Sequence, residues 1–440
     1  MDPVHRLTEF IRAMKINRRF DMFTITGLLL AGLLAGPAAA ETPPRRTLDK
    51  SRPIRVLRPD RLPATLPAER IHFGAGYKPT MARLPNGELV MMMFYWEKDE
   101  GYHEYSRLCR STDNGMTWSD PVRVELSPGQ DLMGRENWLT AIDDGTPHGV
   151  LFTTNHTIRI DSQNPTPGTT RASINRSTDG GVTWQQTVLH IKFSHTTRNV
   201  VKMPDGSLQV GANRYGTDRN NGINNRWLTS TDGGLNWTER ELTLPFYTNF
   251  EGKRTQYYSP VGFFQESYNY VNDAGELLQW IRLSAQSPMF PLQGEVPTGS
   301  DNIHRMIFTK SADGGLTWSD LEDFPGLDGV VEPFGQMYPR ATRLDDGRVL
   351  MTYTKRAGTP PLGLRVAVST DGGDTFNFQN DVLILDENTT AGWSSGGGFG
   401  NTIQFPDGSL ISCYSYATTP QGNEHPHTEV VHWRLPDATR

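Results

Sequence analysis

Polar and charged side chains recur at a similar distance before six glycines of this sequence, which are Gly87, Gly145, Gly206, Gly275, Gly347 and Gly408. About seven to ten residues before these glycines stand four cations and two carboxylates, namely Lys78, Arg135, Arg198, Arg340, Glu136 and Glu266. If a fold gathers them, the cations repel one another unless an anion or carboxylates share the space. Two carboxylates at such a place could also act as general acid and base. The pattern predicts an anion-binding site, and Asn199 and Asn401, at the same distance, are further candidates for substrate binding.

Two repeats indicate how the fold gathers these residues. The first repeat is an octapeptide, STDNGMTW at 111–118, which recurs with small changes at 177–184, 230–237, 311–318 and 369–376. Its Ser and Asp cap a turn, its Gly supplies the positive φ that the turn needs, and its final aromatic residue packs between neighbouring sheets. The second repeat is the series of glycine turns, which are 58 to 72 residues apart and precede strand-like stretches. Together they predict an all-β, six-bladed propeller around a central channel.

The two ends of the chain are predicted to close the propeller ring. The sixth unit has no octapeptide and ends in TEVVHWRLP at 428–436, which leaves the blade without its outer strand. An open edge of this kind needs a partner. The apolar IRVL at 54–57 is the expected strand. We therefore divide the chain into a signal peptide at 1–40, a segment at 41–70 that contributes a closing strand, and a propeller at 71–440.

The first forty residues predict export to the periplasm or the medium. Arg18 and Arg19 precede the apolar run MFTITGLLLAGLLA, and small residues suited to cleavage follow before Glu41. This pattern is typical of a signal peptide, and the run is short for a membrane anchor. Removing 1–40 takes away five basic and three acidic residues, so the formal charge of −6 becomes −8. An acidic protein is a poor candidate for nucleic-acid binding. The two cysteines, Cys109 and Cys413, are expected to be separate buried thiols.

The octapeptides resemble the Asp-boxes of the sialidase (neuraminidase) superfamily, also called BNR repeats, in six-bladed propellers that remove terminal sialic acids. The resemblance covers most of residues 70–435. It implies that arginines hold the carboxylate of the substrate, and Arg198 and Arg340 correspond to two of them, with Arg135 as the third or a neighbour. The family's first arginine lies in a Phe/Tyr-Arg-Ile-Pro motif. Here the matching stretch is GYKPTM, in which Lys78 replaces the arginine.

The resemblance also implies a catalytic pair of glutamate and tyrosine, and this sequence departs from it. Glu266, in FQESYNY, stands where the family's glutamate activates a tyrosine nucleophile. The tyrosine itself belongs nine residues before the last glycine turn, where this chain has Phe399. Either Tyr338, nine residues before Gly347, serves as the nucleophile, or Glu266 acts directly as nucleophile or base. Asp99, in the loop WEKDEGYHEY, is our choice of general acid.

We expect an exported sialidase-like exo-glycosidase that hydrolyses a terminal sialic or uronic acid from glycans, without a metal or another cofactor. Glu136 competes with Asp99 as the general acid. The alternatives are a non-catalytic carbohydrate-binding propeller, a neutral exo-glycosidase and a polysaccharide lyase on the same fold. The sequence does not select among sugars, linkages, retaining or inverting chemistry, or oligomeric states.

Overall fold

Thirty strands and no helix make up the part of the chain that the computed structural model describes. The chain divides into two compact units, Met1–Pro43 and Pro44–Arg440, and the described residues all lie in the second. The described residues are 48–49, 54–56, 65–97, 103–126, 132–159, 170–188, 193–196, 198–215, 223–242, 246–248, 254–256, 267–284, 304–323, 336–355, 362–384, 399–416 and 427–436. The predicted signal peptide lies outside them, so the predicted boundaries at 40 and 70 stay predictions.

The strands follow the glycine turns and octapeptides in order along the chain. Four short N-terminal strands come first, β1 (Leu48–Asp49), β2 (Ile54–Val56), β3 (Thr65–Leu66) and β4 (Ala68–Ala75). Blade 1 has β5 (Tyr77–Arg83), β6 (Leu89–Glu97), β7 (His103–Ser111) and β8 (Val122–Arg123). Blade 2 has β9 (Leu132–Ile142), β10 (Val150–Arg159), β11 (Thr170–Ser177) and β12 (Gln185–Val188). Blade 3 has β13 (Phe193–Thr196), β14 (Val201–Lys202), β15 (Leu208–Tyr215), β16 (Ile223–Ser230) and β17 (Thr238–Glu241).

The second half of the chain repeats the same plan. Blade 4 has β18 (Phe246–Thr248), β19 (Arg254–Gln256), β20 (Tyr268–Val271), β21 (Leu277–Ser284), β22 (His304–Ser311) and β23 (Leu321–Asp323). Blade 5 has β24 (Gln336–Arg343), β25 (Val349–Lys355), β26 (Gly363–Ser369) and β27 (Asn377–Leu383). Blade 6 has β28 (Thr402–Gln404), β29 (Leu410–Tyr416) and β30 (His427–Trp433). In every blade the main strands pair antiparallel in chain order, so the strand before each glycine turn is the innermost. The predicted all-β, six-bladed propeller is confirmed.

The ring is closed by a different strand from the one that the sequence suggested. In blade 6 the fourth strand is β4, which pairs antiparallel with β30 over seven residues, His427 with Ala75 through Trp433 with Ala68. The predicted strand at 54–57 was wrong: β2 instead pairs with β27, the outer strand of blade 5. The eight residues of β4 match the length of β30, whereas the three residues of β2 could cover only part of that edge. The N-terminal segment therefore contributes to two blades.

The octapeptides form the turns that their sequences predict. In the first, the backbone N–H of Gly115 donates to Ser111 Oγ at 2.8 Å, and the N–H of Thr117 donates to Asp113 Oδ1 at 2.8 Å. The other four repeat both bonds. A side chain on the third octapeptide's Gly234, with φ +86°, would meet the ring of Phe152 in the preceding blade at 2.5 Å. The octapeptides thus cap turns and also pack against the preceding blade.

Among the described residues, six large apolar clusters hold neighbouring blades together. The cluster between blades 3 and 4, for example, packs Trp227 and Val201 of one blade against Leu277 and Ile281 of the next, with Trp318 of an octapeptide at its edge. Strand β25 is buried along its whole length, because the two neighbouring blades cover both faces of its sheet. Cys109 and Cys413 are separate buried thiols that form no disulfide, as predicted. Burial raises the pKa of Cys413 to about 12.

No helix long and apolar enough to cross a membrane occurs among the described residues.

Candidate functional site

A repeated backbone feature lies near the start of three innermost strands. Lys78, Tyr338 and Phe399, each nine residues before its glycine turn, have φ values of +48°, +60° and +23°. Left-handed φ is costly for residues other than glycine and tends to be kept at functional positions. The pairing shifts register between Tyr77 and Thr80 and between Met337 and Arg340, which marks β-bulges. A bulge redirects a side chain, and here blades 1, 5 and 6 bring these three residues together at one end of the channel.

Aromatic rings from those three blades meet at this end of the channel, which we call the channel mouth. The ring centroids of Tyr338 and Phe399 are 4.3 Å apart, and those of Tyr77 and Phe399 are 5.3 Å apart. Tyr338 is 3% exposed and Phe399 is 1% exposed. Phe399 occupies the position expected for the tyrosine nucleophile of sialidases. The phenol of Tyr338 therefore lies directly beside that position, although it comes from the preceding blade.

Three cations from three different blades surround these rings. Lys78 Nζ lies 4.5 Å from the Phe399 ring centroid and 5.4 Å from that of Tyr338. Arg198 Cζ lies 4.7 Å from the Tyr338 centroid, and Arg282 Cζ lies 5.7 Å from it. Cation–π attraction of up to about 2 kcal/mol is expected for each desolvated contact. Such contacts hold positive charge at the mouth, where an anionic group can approach it.

Arg282 is a site residue that the sequence reading missed. Its Nη1 donates a hydrogen bond of 3.3 Å to the hydroxyl oxygen of Tyr338. The sequence pattern places the charged candidates before the glycine turns, whereas Arg282 lies seven residues after Gly275, on β21. The second strand of each blade runs back from the turn toward the mouth, so a residue at that distance returns to the same level. Extending the count to both sides of the turns would have found it.

Arg340 lies deeper in the channel than the sequence suggested. It is 2% exposed, its Cζ stacks 3.4 Å from the Trp138 ring centroid, and its Nη1 donates to the Gly400 carbonyl oxygen at 2.9 Å. Tyr268 packs edge-on against Trp138, with 6.1 Å between centroids. Burial raises the pKa of Tyr268 to about 12, against a smaller opposite effect of Arg340. Trp138, Tyr268 and Arg340, all seven residues before their turns, form a layer across the channel that we call the floor.

Asn199 and Asn401 use their amides to join neighbouring blades. Asn401 Nδ2 donates to the Met81 carbonyl oxygen, and the Met81 N–H donates to Asn401 Oδ1, both at 2.9 Å. Asn199 makes the same pair of bonds to Asn269, at 2.7 and 2.8 Å. Both ends of each amide are thus bonded to backbone. These contacts explain why asparagine stands at these positions, and direct substrate contact by either residue stays a prediction.

The remaining predicted site residues are only partly described. Arg135 and Glu136 lie on β9, and their side chains are outside the described residues. Asp99 and Glu266 are outside them altogether; the residue after Glu266, Ser267, accepts a hydrogen bond of 2.8 Å from the Arg198 backbone N–H. The catalytic roles of these residues stay predictions. Within the described ranges, no three His, Cys, Asp or Glu side chains are placed to hold a metal ion.

Comparison with known proteins supports the resemblance that the octapeptides indicated. Residues 74–255 match the family described as BNR repeat-like domain. A sialidase of Micromonospora viridifaciens is 26% identical over an alignment of 242 residues that covers 48% of this chain. The aligned region spans 31% of the length of that relative. These matches confirm the prediction that the octapeptides are Asp-boxes, or BNR repeats, and that the chain has sialidase relatives.

Solved structures with the same fold include more than one type of glycoside hydrolase. The NanB sialidase of Streptococcus pneumoniae superposes with a TM-score of 0.54 at 12% identity, over 83% of this chain and 69% of the sialidase chain. An α-L-arabinanase of Penicillium chrysogenum superposes with a TM-score of 0.53 at 13% identity, over 87% of this chain and 98% of the arabinanase. At these identities the likeness shows the propeller fold alone.

Proposed function

We propose that this chain is an exported exo-glycosidase that removes a terminal anionic sugar, sialic acid or a uronic acid, from a glycan. One observation carries the proposal: Lys78, Arg198 and Arg282 come from three blades and converge on the ring of Tyr338. Scattered surface cations would not share a buried aromatic partner. The sialidase relative and the hydrolase neighbours add support, because they carry glycan chemistry on this fold.

The three cations are proposed to hold the carboxylate of the sugar. Arginine offers a planar fork that bonds both carboxylate oxygens, so Arg198 and Arg282 would fix its orientation. Lys78 adds a single ammonium, which supplies charge without that geometry. Lys78 and Arg198 are 8% and 5% exposed, so they are partly desolvated before the ligand arrives. A charge–charge contact in such a place is stronger than one in bulk water.

Tyr338 is the proposed nucleophile. Its ring lies against Phe399, and the guanidinium of Arg282 donates to its hydroxyl oxygen. That hydrogen bond stabilises negative charge on the oxygen as it attacks. In the proposed reaction Tyr338 Oη bonds to the anomeric carbon, the glycosidic bond breaks, and the leaving-group oxygen takes a proton from an acid. A water molecule then hydrolyses the tyrosyl–sugar bond.

Two carboxylates would move the protons. Glu266 is proposed to take the Tyr338 proton, the role that the resemblance gives it. Asp99 is proposed to protonate the leaving group and afterwards to accept a proton from water, while Glu266 returns its proton to the Tyr338 oxygen as that oxygen leaves the sugar. Glu136 is the competing acid. Each step then conserves charge, since one carboxylate gains the proton that the other loses and the cycle restores both.

A non-catalytic carbohydrate-binding propeller is the second candidate, and Phe399 favours it. A chain that had lost catalysis could keep the cations and the aromatic rings while losing the hydroxyl at position 399. The mouth would then bind an acidic sugar without cleaving it. Turnover is the property that separates the two candidates.

The test is a panel of chromogenic glycosides with purified residues 41–440, covering sialic acid, glucuronic acid, galacturonic acid, arabinose and rhamnose. We expect turnover of at least one acidic glycoside and little turnover of the neutral ones. Saturable binding of the free acids by calorimetry, with no turnover, would support the binding propeller. Turnover of a neutral glycoside alone, unaffected by Arg282→Ala, would overturn the proposal.

Export is a separate part of the proposal and rests on residues 1–40. Expression of the full chain in a Gram-negative host, followed by fractionation and N-terminal mass analysis, tests it. We expect a periplasmic or secreted product that begins at Glu41. A cytoplasmic product with an intact N-terminus would contradict it.

A further inference from the structure

A cavity lies at the end of the channel opposite the mouth. Its volume is about 480 Å³, and it is lined from the innermost strands of blades 1, 2, 5 and 6 together with Tyr268 of blade 4. The lining residues on these strands stand two to seven residues before the glycine turns. Lys78, Tyr338 and Phe399 stand nine residues before theirs and do not line it. The cavity, which we call the turn-side cavity, is therefore on the turn side of the floor.

The floor separates the turn-side cavity from the channel mouth. Trp138 and Tyr268 line the cavity, whereas Arg340 does not. Arg340 lies over the Trp138 ring and bonds the carbonyl of Gly400, one residue nearer the mouth than the cavity-lining Asn401. The guanidinium thus occupies the mouth side, and aromatic side chains are presented to the cavity. A ligand in the turn-side cavity would therefore contact Trp138 and Tyr268 and not Lys78 or Tyr338.

The polar lining offers both hydrogen-bond donors and acceptors. Arg83 faces the cavity, and its buried Nε has no hydrogen-bond partner among the described residues. Asp143 and Asp345 also line the cavity and are exposed, and Asp143 Oδ1 accepts a hydrogen bond of 2.8 Å from the Gly145 N–H. Arg343 also lines it and forms an ion pair with Asp273 outside the cavity lining. Two basic and two acidic side chains in the lining balance, so the cavity has no formal net charge.

We propose that the turn-side cavity binds a neutral sugar, a monosaccharide or a disaccharide. A sugar hydroxyl can accept a hydrogen bond from the Arg83 guanidinium and donate one to the carboxylate of Asp143 or Asp345. Hydroxyl groups can therefore bond to both the basic and the acidic side chains of the lining. Because the lining has no formal net charge, it favours neither an anion nor a cation as a whole. Trp138, which is 3% exposed, and Tyr268 close the inner end of the cavity, and the C–H face of a sugar would lie against them. The volume lies within the range of small-ligand sites, about 300–1,000 Å³.

This proposal is independent of the catalytic proposal for the mouth. A sugar bound on the turn side would tether the chain to a polysaccharide while leaving the mouth open to a chain end. Two sites on opposite sides of one floor can be occupied together, because Lys78, Arg198 and Tyr338 do not line the turn-side cavity. Loss of catalysis at the mouth would leave the turn-side site unchanged.

The experiment is calorimetry on purified residues 41–440 with galactose, glucose, N-acetylglucosamine and lactose, and with sodium acetate and phosphate as anion probes. We expect at least one neutral sugar to bind with a dissociation constant on the order of 1 mM, about −4 kcal/mol. Acetate and phosphate at the same concentrations should not compete with it. Binding of the anions in place of every sugar would overturn the proposal, as would no binding of any sugar.

Variants locate the site. Arg83→Gln removes the charged donor, and Ala141→Phe fills the cavity from a lining position; each should weaken sugar binding at least tenfold. Glu125→Ala, at an exposed position away from the cavity, is the matched control, and Arg198→Ala alters only the mouth. Melting temperatures near that of the parent establish that each variant is folded; Arg83→Met replaces Arg83→Gln, and Ala141→Leu replaces Ala141→Phe, if either is not. Sugar binding that survives both cavity changes, or that Arg198→Ala abolishes, would contradict the assignment.

Discussion

The rings of Tyr338 and Phe399 pack against each other with their centroids 4.3 Å apart, although the two residues belong to different blades. Both residues have left-handed φ values at the same distance from a glycine turn. Blade 6 has Phe399 where a tyrosine was expected, and Tyr338 of blade 5 places a phenol ring directly beside it. The cations that would orient a substrate also gather on Tyr338. This relationship makes the loss of the expected tyrosine compatible with catalysis.

Removing the Tyr338 hydroxyl should separate the two candidate nucleophiles. Tyr338→Phe keeps the ring packed against Phe399 and deletes only the oxygen that Arg282 contacts. If Tyr338 attacks the sugar, kcat on an acidic glycoside should fall by at least about 100-fold, with little change in melting temperature. Tyr77→Phe, in the same aromatic cluster, is the control. Full activity of Tyr338→Phe would assign nucleophilic attack to another group, Glu266 first.

Replacing Glu266 tests the predicted base. Glu266→Gln keeps the size of the side chain and removes its charge, so proton transfer from Tyr338 would stop. We expect kcat to fall by several orders of magnitude, because base and nucleophile act as a unit. The measurement is steady-state kinetics alongside thermal unfolding, with Glu125→Gln as a neutralised carboxylate at an exposed position. Equal activity in Glu266→Gln and the parent would remove Glu266 from the mechanism.

The octapeptide turns should contribute to stability without contributing to catalysis. Asp179 accepts hydrogen bonds from the backbone N–H groups of Val182 and Thr183 and from the Thr183 hydroxyl. Asp179→Ala should lower the free energy of unfolding by about 1–2 kcal/mol, since several turn bonds are lost. The folded fraction should keep the parent's kcat. The comparison is urea unfolding of Asp179→Ala and Glu125→Ala, and a variant with unchanged stability would contradict the capping role.

The same aspartates should make the fold sensitive to acid below pH 4. Burial alone would raise the pKa of Asp179 and Asp313, but hydrogen bonds from Thr183 and Thr317, among others, lower each to about 2. A carboxyl with a pKa of about 3.9 in the unfolded chain then stabilises the fold above that pH, and the stabilisation is lost as pH falls toward 2. Urea midpoints from pH 5 to pH 2 should decline less steeply in Asp179→Asn/Asp313→Asn than in the parent. Parallel declines would contradict this account.

The blade turns could be predicted from sequence because they are local. An octapeptide such as STDGGVTW contains its own cap, its glycine and its packing aromatic residue, so no distant residue decides its conformation. Strand pairing across the chain is different. The choice between β2 and β4 as partner of β30 depends on matching two edges more than 350 residues apart. The apolar residues of 54–57 favoured that stretch as the partner of β30. The strand at 68–75 takes this position because its length matches that of β30.

The depth of site residues could be predicted only in part. Counting from the glycine turns correctly brought Lys78, Arg198 and Tyr338 together, because all three strands run in the same direction from the mouth to the turns. The count also grouped Arg340 with them. The bulge at Tyr338 breaks the regular alternation of faces, and Arg340 lies one layer lower, on Trp138. Spacing alone does not reveal a bulge, since a positive φ at tyrosine has no signature in the sequence.

The central claim is that Lys78, Arg198 and Arg282 bind the carboxylate of an acidic sugar. Calorimetry with glucuronic and sialic acids, on the parent and on Arg282→Met, tests it most directly, with Arg434→Met as the control at an exposed ion pair. The account predicts that Arg282→Met weakens binding by about 10- to 100-fold, or 1.4 to 2.8 kcal/mol, and that added salt weakens binding to the parent. Arg434→Met should bind like the parent. Equal affinity of Arg282→Met and the parent for both acids, at low and high salt, would contradict the account.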